Sequence, residues 1–258
     1  MISGDNFYFI HNPKSAGTSI RKRLSEYATL SHQYDGEYQI YSTQLDRVVE
    51  WFHLTASDAK TVLPSNDNQF RFGFVRNPYD RFFSAVSEHQ YQHGIRIDDI
   101  NEFIGSLDRS ALRYDWRFIH LCPQHYFFYD GIRCVADFIG RHERLDIDWE
   151  FIQKTIGIQV KPLGHFKTTS RYQNCCEYNM TDLLQHSLRK LDYLYSKDFD
   201  LFGYESMTER SAPDDHTHRI EAIAGVPHSI TLETSNMTLG EQCAYWRAKA
   251  KHEIKTIG

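Results

Sequence analysis

Cysteine is scarce in this chain of 258 residues. The five present (Cys122, Cys134, Cys175, Cys176 and Cys243) form an odd set without the spacing of a disulfide scaffold. Long apolar runs are missing, and no stretch approaches the length needed to cross a bilayer. The apolar segment Phe7–His11 is too short for a secretion signal and runs straight into a polar motif. These absences predict a soluble protein of a reducing compartment, the cytoplasm, without a membrane span. Positive charge is also in short supply, with 29 Lys and Arg against 34 Asp and Glu and a net charge of −5. That balance argues against a general nucleic-acid binder, although a local basic pocket for an anion stays open. Internal repeats and low-complexity tracts are absent.

What is present has the composition of an ordinary globular domain, 41% hydrophobic and 24% charged. Phe7-Tyr8-Phe9-Ile10-His11 reads as a buried strand, broken by Asn12-Pro13-Lys14-Ser15-Ala16-Gly17. A helix then opens at Thr18 or Ser19, with Ile20 and Leu24 on its apolar face. The same order returns at Phe70–Val75, where the even positions are aromatic, followed by the turn Arg76-Asn77-Pro78-Tyr79-Asp80. Asp80 is the expected cap of a helix running to about Tyr91. Strand, turn and helix in repeated order predict an α/β fold: a parallel sheet of four or five strands flanked by helices.

Later elements are expected as a helix around Ile97–Leu107, a strand at Val135–Gly140 and a helix at Trp149–Ile156 capped by Asp146 or Asp148. A further helix is expected at Asp182–Tyr195, and a last one over Gly240–Ile254. Residues 1–206 read as the main domain and 207–258 as a C-terminal extension, where the pattern weakens.

The first loop suits an anion. Unpaired backbone N–H groups and the positive end of a helix dipole meet Lys14, the hydroxyls of Ser15, Thr18 and Ser19, and the small residues Ala16 and Gly17. Its lysine precedes the glycine, so it is not a nucleoside-triphosphate loop. The second turn offers the Arg76 guanidinium and the Ser84 hydroxyl, a phosphate-binding pair. Each alone has a plainer reading: a strand-to-helix turn with a surface lysine, and an Arg76–Asp80 ion pair. Together, beyond the C-terminal ends of two strands, they fit a ligand with anionic groups at both ends of a nucleoside.

Phe9-Ile10-His11-Asn12-Pro13-Lys14-Ser15-Ala16-Gly17-Thr18-Ser19 resembles the 5′-phosphosulfate loop of sulfotransferases that use 3′-phosphoadenosine 5′-phosphosulfate (PAPS). Phe74-Val75-Arg76-Asn77-Pro78-Tyr79-Asp80-Arg81-Phe82-Phe83-Ser84-Ala85 resembles their 3′-phosphate motif, and the likeness is to the carbohydrate sulfotransferases, Golgi and bacterial. It extends weakly through Asp137–Glu143 and Asp198–Tyr204, covering roughly residues 5–205. Val86 stands where tyrosine is frequent in these enzymes.

The resemblance implies that Lys14, Gly17, Thr18 and Ser19 hold the phosphosulfate, and that Arg76 and Ser84 hold the 3′-phosphate. Lys14 would also act in catalysis, on the oxygen that leaves with 3′-phosphoadenosine 5′-phosphate (PAP). It implies a saccharide or glycoconjugate acceptor and no metal. By position His53 matches the family's base, with Glu88 or His89 as alternatives. Lys167 and Arg171, in a basic hydroxyl-rich segment, match a loop that closes over the cofactor. Two rival functions are a nucleotide kinase, which lacks its phosphate loop and magnesium-binding acidic strand end here, and a non-catalytic nucleotide- or glycan-binding protein. His120-x-Cys122-x-x-His125 has the flavour of a metal motif but lacks a fourth ligand at the usual spacing. The aromatic residues of 114–129 suit the core or a sugar-binding cleft.

Overall fold

The computed structural model describes residues 2–31, 39–63, 68–164 and 172–208. In chain order the strands are β1 (Ile2–Ser3), β2 (Phe7–Ile10), β3 (Leu30–Ser31), β4 (Gln39–Ser42), β5 (Arg47–Glu50), β6 (Phe70–Val75), β7 (Tyr129–Asp130), β8 (Arg133–Cys134) and β9 (Phe138–Arg141). The helices are α1 (Gly17–Leu24), α2 (Ala56–Val62), α3 (Pro78–His93), α4 (Ile100–Ser106), α5 (Arg109–Tyr114), α6 (His125–Phe128), α7 (Leu145–Thr155), α8 (Gln185–Leu194) and α9 (Ser196–Phe202).

The main sheet has five strands in the order β3-β1-β2-β6-β9. Strands β2, β6 and β9 pair in parallel, while β1 runs antiparallel to both β2 and β3. Four strands therefore point one way, and the α/β expectation holds with one reversed strand inserted. Alternation along the strands decides which face each side chain joins. Phe7, Phe9, Phe72 and Phe74 pack with Ile20 and Leu24 of α1 and Trp149 and Ile152 of α7. Ile10 and Val75 turn to the opposite face, against Phe127 and Phe128 of α6 and Phe202 of α9. Gly73 leaves room for that packing, since a Cβ there would stand 2.7 Å from both the Ile10 carbonyl oxygen and the Phe128 ring. A third apolar cluster joins Phe82, Ala85 and Val86 of α3 to Ile100 and Ile104 of α4 and Leu191 and Leu194 of α8.

Several boundaries differ from expectation for local reasons. Helix α1 opens at Gly17, just before the expected start at Thr18 or Ser19. Helix α3 is capped by Asn77, not Asp80: the Asn77 side-chain oxygen accepts from the Tyr79 N–H at 3.0 Å and the Asp80 N–H at 3.5 Å, with Pro78 at the first position. Helix α7 begins at Leu145 without a side-chain cap, because Asp148 instead accepts from the Arg141 N–H at 2.7 Å. Helix α8 starts at Gln185, since Asp182 is taken by a short 3₁₀ turn capped by Asn179. The strand expected at Val135–Gly140 lies at Phe138–Arg141, behind the unforeseen β7–β8 hairpin. The helix expected over Gly240–Ile254 falls outside the described residues, as does all but the first two residues of the C-terminal extension. Among the described residues no helix is long and apolar enough to cross a membrane. The four cysteines among them, Cys122, Cys134, Cys175 and Cys176, are free.

Candidate active site

Strands β2 and β6 are parallel neighbours, in register from Phe7 beside Phe70 to Ile10 beside Gly73. Their C-terminal ends therefore release the two motif loops side by side. The first loop is unusually bent: Lys14 and Ala16 both adopt left-handed backbone, at φ 63° and 64°. That conformation costs residues with a Cβ about 1–2 kcal/mol each, so the surrounding structure must hold it. Asn12 is a large part of the hold. Its side-chain amide donates to the Phe74 carbonyl and to Gln124 Oε1, both at 2.9 Å, and lies 3.2 Å from Ser15 Oγ.

Gln124 then joins the second loop. Its Oε1 accepts from the Arg76 N–H at 2.9 Å, and its Nε2 donates to the Arg76 carbonyl at 2.8 Å. Asp198 fixes Gln124 in turn, accepting from its backbone N–H at 2.7 Å. Both Gln124 and Asp198 are wholly buried. Neither motif by itself signals this bridge, because Gln124 sits 48 residues beyond Arg76.

Helix α1 begins with no side-chain cap and no acidic residue in its first turn, so no carboxylate of its own competes for its opening amides and positive end. Thr18 is exposed and Ser19 half-buried there, whereas Ser15 is buried and turned inward toward Asn12 and Pro13. Gly17 is required for packing: a Cβ would stand 1.9 Å from Nε2 of the His11 ring. Arg76, just before α3, and Ser84, in its second turn, are half-buried. Burial draws the Arg76 guanidinium below its ordinary value, while the carboxylates of Asp80 and Glu143 oppose that shift. Lys167 and Arg171 lie outside the described residues.

Lys14 is buried and engaged. Its Nζ donates to Glu88 Oε2 at 2.7 Å and to Tyr172 Oη at 3.0 Å, and the Tyr172 hydroxyl donates to the same Glu88 oxygen at 2.5 Å. A carboxylate of the protein thus occupies the lysine that an anionic ligand would use. His89 lies elsewhere, stacked on Phe118 with its Nδ1 3.1 Å from the Arg117 carbonyl.

The β4–β5 hairpin and a 3₁₀ turn, Trp51–His53, carry His53 to the end of β2. Arg21 of α1 lies over the Phe52 ring and docks the turn. His53 Nδ1 meets the His11 carbonyl at 2.9 Å. A carbonyl only accepts, so Nδ1 carries the proton and Nε2 presents a lone pair. Burial pushes the His53 pKa down to about 3, so the ring is neutral at physiological pH. Nε2 faces Glu50 Oε1 at 3.5 Å, and burial, helped by the negative charge of Glu88, pushes the Glu50 carboxyl up to about 8. His120 approaches the same oxygen at 3.9 Å. Glu50, His53, Arg47, Asp58, Tyr114 and Trp116 bound a narrow gap of roughly 10 Å³, room for about one water. The sequence reading missed Glu50, Gln124 and Tyr172, whose only signal is proximity in the fold.

The metal-like spacing of His120, Cys122 and His125 is divided in the structure. His125 Nδ1 pairs with Asp198 at 2.8 Å, and burial drives the Cys122 thiol up to about 12. Only His120 of the three joins a group able to share an ion among the described residues.

The model of the sulfotransferase family matches residues 2–205, a span that includes both loops, the Gln124 bridge and the His53 turn. The chain belongs to the sulfotransferase family. Sulfotransferases move a sulfuryl group from a donor to an acceptor, which sets the nucleotide-kinase reading aside. Neither the search of curated proteins nor that of solved structures returned a match.

Proposed function

We propose that this sulfotransferase takes its sulfuryl group from PAPS and delivers it to a hydroxyl of a saccharide or glycoconjugate. The observation that carries the reading is the tie between the loops. Asn12, Gln124 and Arg76 are hydrogen-bonded across the ends of two neighbouring parallel strands. One loop then offers Lys14 and the α1 amides to a 5′-phosphosulfate, while the other offers Arg76 and Ser84 to a 3′-phosphate. Bidentate guanidinium contacts suit the latter and a helix N-terminus the former.

In this scheme the acceptor oxygen attacks sulfur as the bond from sulfur to the 5′-phosphate oxygen breaks. The acceptor's proton passes to Nε2 of His53, and PAP departs carrying the negative charge that Lys14 neutralises. Positioning and electrostatic stabilisation do most of the work, as in phosphoryl transfer. An anionic donor held beside His53 favours the imidazolium that forms, which offsets the burial that disfavours it in the free enzyme. For Lys14 to act, the donor must displace Glu88 from it. The acceptor hydroxyl would approach His53 through the water-sized gap bounded by Tyr114 and Trp116.

Calorimetric titration with PAP, compared with ATP and Mg²⁺, tests the donor. Micromolar binding of PAP that is lost in Arg76→Ala supports it, while a preference for ATP with Mg²⁺ rejects it.

A further inference from the structure

Glu50 and His53 stand three residues apart on the end of β5 and the turn after it, and His120 arrives from a segment 67 residues further on. All three are buried. Their ligand atoms converge: His53 Nε2 lies 3.5 Å and His120 Nε2 3.9 Å from Glu50 Oε1, and the three atoms fall within 4.8 Å of one another. Those separations are too long for good N–H···O bonds, which need about 2.7–3.2 Å. They are close to the roughly 3.3 Å that separates ligands on a tetrahedral zinc at about 2.0–2.2 Å from each.

A further observation points the same way. The His53 Nδ1–H donates to a backbone carbonyl, the outer contact that fixes a ligating imidazole with its other nitrogen toward a metal. A gap of roughly 10 Å³ beside Glu50 and His53 leaves room for about one water as a fourth ligand.

We propose that Glu50, His53 and His120 form a binding site for a divalent transition metal of the zinc type. Two imidazoles and one carboxylate select zinc or ferrous iron over magnesium or calcium. A metal on His53 Nε2 takes the lone pair that the proposed base needs, so filling the site inhibits transfer. That consequence rests on the role assigned to His53 above; the site itself does not.

Zn²⁺ is titrated calorimetrically into the full chain, with Fe²⁺, Mg²⁺ and Ca²⁺ as parallel arms, and Co²⁺ is added to follow its visible absorption. The expected result is one Zn²⁺ per chain and the intense bands of four-coordinate Co²⁺. Affinity should fall at least ~10-fold in Glu50→Gln and in His120→Gln and stay unchanged in His186→Ala, an exposed histidine on α8. Thermal melts of the metal-free variants establish that each is folded. Absence of binding to the parent chain overturns the proposal, as does binding that survives both substitutions or a preference for Mg²⁺ or Ca²⁺. Site-specific binding with undiminished transfer upholds the site and removes His53 from the base role.

Discussion

Lys14 and Arg76 are both cations at strand ends, yet their surroundings differ. Lys14 is buried against Glu88 and Tyr172, beside the turn that carries His53, whereas Arg76 is half-buried at the mouth of α3. Lys14→Ala should therefore lower kcat by about 100-fold with little change in donor affinity, the loss typical of one charge-stabilising group. Arg76→Ala should weaken PAP binding about 10- to 100-fold with a smaller effect on kcat, as removal of a charge-assisted bidentate contact does. Steady-state kinetics with varied donor separates the two effects. Asp58 makes a prediction about pH. Burial acts to raise its carboxyl, but Arg113, Arg47 at 2.7 Å and the Thr55 hydroxyl at 2.7 Å prevail and hold it below its ordinary 3.8. The native state then binds fewer protons than the unfolded chain in that range, so the stabilisation is present above about pH 4 and is lost as pH falls further. Asp58→Asn should remove this part of the acid sensitivity. It should also cost about 3–5 kcal/mol near neutrality by leaving the buried Arg113 without its carboxylate, measured as urea midpoints across the acid range.

Elements meet at the site through a few buried polar residues. Strands β2 and β6 bring the loops together, but parallel pairing alone does not set the loops' conformations. Gln124, just before α6, does this by taking both backbone groups of Arg76 and the amide of Asn12 at once. Gln124→Ala should lower stability by about 3 kcal/mol, because several buried polar groups lose partners together. PAP affinity should fall with it, although no substituted atom contacts the ligand. Gln124→Glu is the informative companion: it keeps the acceptor oxygens but loses the donor to the Arg76 carbonyl and buries a charge, so it should rescue little. Equilibrium denaturation and PAP calorimetry on both variants test this.

At the scale of the molecule, the family match ends at residue 205, and residues 206–208 are still tied to the fold. The Met207 N–H donates to the Tyr79 hydroxyl at 2.8 Å, Tyr79 itself bonds Asp192, and the Thr208 N–H donates to Asp192 at 2.9 Å. A chain ended after Thr208 should therefore keep the sheet, both loops and the parent affinity for PAP. Calorimetry on that chain beside the full one checks it, and a loss of binding would show that residues 209–258 contribute to the donor site.

The α/β class, the paired aromatic strands and the two strand-to-helix loops were legible because each depends on local order. Period-two alternation placed Phe7, Phe9, Phe72 and Phe74 on one face, and Pro and Gly marked where strands hand over to helices. His53 could be singled out by position, but its proton could not be placed. Only folding sets its Nδ1 against the His11 carbonyl and its Nε2 toward Glu50 and His120. The Gln124 bridge, the Lys14–Glu88–Tyr172 cluster and the gathering of Glu50, His53 and His120 were likewise decided by tertiary structure. The reason is physical: hydrogen bonds and ligand sites join whatever side chains the fold brings within about 3–4 Å, and sequence separation carries no trace of that distance.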